Sequence, residues 1–94
     1  MARTYGTKQF DTGQVALNSS TATQIVPFRA SRVAVVLVNA DSQIEVAAGP
    51  STSVTTSNGV TLEAGESIEI RSRGAVYAIS ASGTPTIEYI EYFE

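Results

Sequence analysis

The chain has 94 residues, with six Lys and Arg against nine Asp and Glu, a net charge of −3 and no cysteine or histidine. That length makes one domain able to bury only roughly 60–65% of its unfolded surface, with no disulfide to brace it and none of the commonest zinc, copper or nickel ligands. The acidic balance speaks against a nucleic-acid partner, and the longest apolar run, Val33 to Val38, falls far short of the roughly 20 residues of a membrane span, which leaves a partner subunit as the usual further support.

Residues 1–13 show no strand pattern and no apolar h-region of a signal peptide, so synthesis in the cytoplasm is the expectation. They carry two aromatics, Tyr5 and Phe10, interleaved with two cations, Arg3 and Lys8. Free tails rarely hold large apolar groups, so this segment reads as an extended N-terminal arm that orders on a neighbouring surface.

From Gln14 onward, short runs rich in Val, Ile, Thr and Tyr recur between Gly, Asn, Asp and Ser clusters, and no window has the spacing of an amphipathic helix. Strands are predicted over Gln14 to Asn18, Thr23 to Phe28, Arg32 to Asn39, Gln43 to Ala47, Ser67 to Arg71, Ala75 to Ser80 and Thr86 to Phe93. A short piece at Val60 to Leu62 adds an eighth. Asn39-Ala40-Asp41-Ser42 offers Asx-type turns and predicts a hairpin between the strands it joins. Gly49 to Ser57 is the longest loop, with few groups able to pack. Asn58-Gly59, Glu63-Ala64-Gly65-Glu66 and Arg73-Gly74 are predicted turns. Ile44, Val46, Leu62, Ile68 and Ile70 point to the core, Glu45 and Glu69 outward. With no helix to cover a sheet, the reading is all-β: a single antiparallel β-sandwich of jelly-roll type over residues 14–94.

The last strand, "TIEYIEYFE", carries apolar weight on both sides. Ile87, Tyr89 and Phe93 are expected to close the core, and Ile90 and Tyr92 to meet a sister subunit. Glu88, Glu91 and Glu94 read as rim charges that discourage unlimited strand addition.

Catalytic chemistry would have to rest on carboxylates, hydroxyls, Lys or Tyr. Nearly all of Asp11, Asp41, Glu45, Glu63, Glu66, Glu69, Glu88 and Glu91 fall at predicted turns or outward positions, where a solvated acid is expected rather than a paired acid and base. The chain therefore reads as not an enzyme and without a cofactor. Asp41 and Glu45 do not make a calcium loop, so no metal site is expected. Arg71 and Arg73 would share a strand face and seat one carboxylate or phosphate; the plainer reading is a solvated pair. Tyr77, Tyr89 and Tyr92 are available for stacking on a sugar.

The words "RVAVVLVN", "QIEVAAGPSTSVTTSNGVTLEAGESIEI" and "GAVYAISASGTPTIEYIE", spanning Arg32 to Glu91, resemble small β-rich virion proteins of tailed bacteriophages. The resemblance implies a capsid decoration, or cement, protein on the head exterior, made in the host bacterial cytoplasm. Its partner would be the major capsid protein, contacted through Arg3, Tyr5, Lys8 and Phe10. It would be a homo-oligomer, expected as a trimer although dimers at two-fold positions also occur. The alternative post is a tail, baseplate or head-fibre component, with glycan binding through exposed tyrosines.

Overall fold

The structure, a computed structural model, describes residues 9–94. Arg3, Tyr5 and Lys8 lie outside the described residues. Eight strands follow in chain order: β1 Gln9–Ala16, β2 Thr23–Val26, β3 Arg32–Asn39, β4 Val46–Gly49, β5 Val60–Leu62, β6 Ser67–Ile70, β7 Val76–Ser80 and β8 Thr86–Phe93. They form two four-stranded sheets, β1-β8-β3-β6 and β2-β7-β4-β5, with every pairing antiparallel.

Alternation along each strand builds one core from both sheets, because successive side chains point to opposite faces. Val35 and Leu37 of β3 and Ile87 of β8 meet Val26 of β2, Val46 and Ala48 of β4, Leu62 of β5 and Ala78 of β7, with Leu17 closing from the β1–β2 connection. Ile68 and Ile70 are half-buried against this cluster, as is Tyr89.

Several expectations are corrected. Among the described residues the sheet starts at Gln9, so residues 9–13, assigned to the arm, pair with Tyr89 to Phe93 of β8 in continuous register. The polar stretch Gln9-Phe10-Asp11-Thr12-Gly13 lacks an alternating signal because its first four residues are exposed on both faces and are held mainly by the backbone ladder.

The predicted β3–β4 hairpin does not form, since the two strands lie in different sheets. Asn39 explains the crossing. Fully buried, its Nδ2 donates to the carbonyls of Ile44 at 2.8 Å and Leu62 at 3.0 Å, while its Oδ1 accepts from Asp41 N at 3.1 Å. Asp41 Oδ2 then accepts from Gln43 N at 2.8 Å and Ile44 N at 2.7 Å. These bonds consume the groups a hairpin ladder would use and carry the chain to the other sheet, where β4 begins at Val46.

The one connection within a sheet is β4–β5, through residues 50–59. It packs better than its composition suggests, because Val54 is buried between Gly49 and Gly59. A Cβ on either glycine would come within 2.6 Å of a Val54 methyl, so space rather than backbone conformation demands glycine there. Positive φ occurs at Gly65 (82°), at its predicted turn, and at Gly83 (61°).

The pairings fix two ends. Connections 17–22, 40–45, 63–66 and 81–85 gather at one end; connections 27–31 and 71–75 gather at the other with Gln9 and Phe93, where connection 50–59 also starts and ends although its residues 52–55 reach back to a cleft shared with residues 20–22.

Candidate interaction surfaces

Strict alternation along β8 puts Ile87, Tyr89, Glu91 and Phe93 on the inner side and Glu88, Ile90 and Tyr92 on the outer. The outer face of the β1-β8-β3-β6 sheet reads across in register as Phe10–Tyr92–Ala34, Thr12–Ile90–Val36–Glu69 and Gln14–Glu88–Val38–Ser67. Its centre is therefore apolar. Phe10 and Tyr92 pair with ring centroids 6.3 Å apart, and both are exposed; Ile90, Val36 and Val38 are half-buried. Gln14 Nε2 donates to Glu88 Oε2 at 3.3 Å along one margin. Thus Ile90, Tyr92 and Phe10 share one face, and Val36 and Val38 join them. Sequence periodicity already held this signal, since β3 is apolar at even positions too.

Glu91, read as a rim charge, is corrected: it is buried, with 5% exposure. Its carboxylate accepts from Arg29 Nη1 and Arg32 Nε, each at 2.8 Å, and the Arg32 side chain has no exposed surface. Further N–H groups of Arg32 donate to the carbonyls of Pro27, Ser72 and Gly74. Arg29 lies 3.7 Å over the Phe93 ring centroid. A buried acid is tolerated only when its lone pairs are taken up, and here two guanidinium groups do so. The clue in the sequence was an acid at an inner position of β8 with two arginines around the start of β3.

Two other carboxylates, those of Asp41 and Glu66, serve turns. Hydrogen bonds from the backbone of Gln43 and then Ile44 hold the exposed Asp41 carboxyl below its ordinary value of 3.8. Glu66 Oε1 accepts from Glu63 N at 2.7 Å. Among the described residues, no three acidic side chains come together to hold a metal ion. Arg71 and Arg73 follow the end of β6, so they do not share a strand face; Arg71 Nε lies 3.6 Å from Glu69 Oε1, with both side chains exposed. Of the three tyrosines considered for sugars, Tyr77 accepts from Gln24 Nε2 at 3.1 Å, Tyr89 packs on the core, and Tyr92 lies exposed on the outer face.

No protein-family model and no curated protein matches the chain.

Proposed function

We propose that the protein is a decoration protein of a tailed-phage head, bound to the exterior of the assembled shell as a homotrimer. The observation that carries the reading is the outer face around β8, where Ile90, Tyr92, Phe10, Val36 and Val38 form an apolar patch too continuous for a solvated face. Burial of Ile90 and Tyr92 against sister subunits about a symmetry axis would cover it. The strand orders support a jelly roll, since strands 1, 8, 3 and 6 in one sheet and 2, 7, 4 and 5 in the other follow from rolling up a long antiparallel pair. Viral capsid proteins use that architecture, but so do lectins, so the fold alone does not choose.

The mechanism is mass action. A protein whose site exists only on the expanded lattice stabilises that lattice, and many copies multiply a modest affinity. The arm residues Arg3, Tyr5 and Lys8 belong to the contact with the major capsid protein, while Phe10, a β1 residue paired with Tyr92, goes with the subunit face; no nucleic acid or membrane takes part.

The test is reconstitution on particles lacking the protein. Wild-type chain is expected to co-sediment with particles and raise their disruption temperature, and a chain lacking residues 1–8 to do neither. Deleting through residue 13 would remove residues 9–13 of the 8-residue β1 and confound binding with folding. Particles that lack the protein, survive heating unchanged and lose adsorption to cells would favour the tail or head-fibre reading.

A further inference from the structure

The net charge conceals a segregation along the molecule. All four described arginines, Arg29, Arg32, Arg71 and Arg73, belong to the end gathered by connections 27–31 and 71–75. The opposite end carries Asp41, Glu45, Glu63 and Glu66 in its connections and no cation. Large exposed apolar side chains segregate the same way. Phe28 lies in connection 27–31, Phe10, Val33 and Val60 stand within two residues of strand starts at this end, and Tyr92 is the next-to-last residue of β8. Those are all the large apolar side chains exposed among the described residues. The chain also enters the described structure at this end, at Gln9, directly after the segment with Arg3 and Lys8.

Phe28 is the most telling. It is 66% exposed, yet the backbone on both sides of it is fastened: the Pro27 carbonyl accepts from Arg32 Nη2, and Arg29 N donates to the Arg73 carbonyl at 2.9 Å. Both arginine side chains are themselves tied to the buried Glu91. An exposed aromatic on a backbone fixed by an ion cluster loses little conformational freedom on binding, and aromatic and arginine side chains dominate protein interfaces. Beside it Arg73 makes no ion pair among the described residues, whereas Arg29, Arg32 and Arg71 are neutralised by Glu91 and Glu69.

We infer that this end is the docking tip, with Phe28 as apolar anchor and Arg73 as charged anchor for a protein surface offering an apolar pocket beside a carboxylate. The acidic end faces solvent. The mixed signs at the tip suit a protein rather than a polyanion, whose phosphates Glu94, which lines the same cleft as Arg73, would repel. A second copy docking end to end would offer carboxylates but no large exposed apolar group, leaving Phe28 uncovered. For the partner's identity the inference rests on the decoration reading; for the end that docks it does not.

The experiment has two arms. In the first, wild type, Phe28→Ser/Arg73→Glu and Glu45→Lys/Glu63→Lys, each checked for fold by circular dichroism, are titrated onto particles lacking the protein. The tip variant is expected to bind at least about tenfold more weakly and the acidic-end variant within about twofold of wild type. Equal binding by the tip variant, or loss confined to the acidic-end variant, overturns the inference. Absence of wild-type binding sinks the decoration reading alone, and the second arm then decides. Amide chemical shifts of the labelled protein are followed with a Glu- and Phe-containing peptide and, separately, with duplex DNA. Peptide shifts centred on Phe28 and Arg73 support the docking tip. Peptide shifts at 41–45 and 63–66, no peptide shifts, or stronger binding to DNA overturn it.

Discussion

Arg32 Nε stands 2.8 Å from Glu91 Oε2 where the arginine side chain has no exposed surface, so the last strand is fastened to the start of the third by a buried ion pair. Bonds from the same guanidinium to Pro27, Ser72 and Gly74 carbonyls extend the tie to two connections.

Removing Glu91 leaves the buried Arg32 charge uncompensated, which costs about 3–5 kcal/mol, whereas removing Arg32 leaves Glu91 still paired with Arg29. Glu91→Leu is expected to lower the unfolding free energy in urea by that order and Arg32→Met by less, and the double variant to recover part of the Glu91→Leu loss, because no unpaired Arg32 charge stays buried even though the Pro27, Ser72 and Gly74 carbonyls lose their donor. Single variants near wild-type stability would mean that the pair is solvated.

Asn39→Val should be costly despite the apolar surroundings. It leaves the Ile44 and Leu62 carbonyls without the Asn39 amide, at about 1–3 kcal/mol for a buried group left unpaired. Thermal unfolding checks this, and a neutral substitution would show that other donors replace the amide.

Gly59→Ala presses a Cβ to 2.6 Å from a Val54 methyl and 2.9 Å from the Ala48 carbonyl, so overpacking is expected to cost about 1–3 kcal/mol. Combining it with Val54→Ala should give less than the sum of the two losses, since one clash disappears while the Ala48 contact stays.

Asp41 sets an acid-side dependence. Its carboxyl titrates lower in the folded chain than in the unfolded one, because the Gln43 and Ile44 amides bind the charged form. The resulting stabilisation is present above the unfolded value and is lost as pH falls through the folded one. In Asp41→Asn a neutral amide oxygen accepts those bonds more weakly than the carboxylate, so stability should be lower at neutral pH and fall less steeply below the ordinary carboxylate range, where the two proteins converge. Denaturant midpoints measured down the acid limb test it; identical limbs would assign the acid sensitivity elsewhere.

Ile90→Ser/Tyr92→Ser should yield a folded monomer by light scattering if the outer face of β8 is the subunit contact. Wild type that scatters as a monomer at micromolar concentration overturns the trimer.

The sequence by itself determined what depends on near neighbours. β-Branched residues and turn formers marked the all-β class, placed β3, β5 and β8 at their observed bounds, and put Gly65 where a positive φ is needed. The double apolar character of β8 was legible as well, since alternation is a local property. Tertiary structure decided the rest. Whether β3 folds back onto β4 depends on what Asn39 finds across the fold, at Leu62, and the start of β1 is fixed by its ladder with β8 rather than by its own side chains. The arginines that make Glu91 a core residue lie 62 and 59 positions away in the chain. Local preference selects strand and turn, but which strands pair, and which charges end up inside, follow from burying the apolar faces of the whole chain at once.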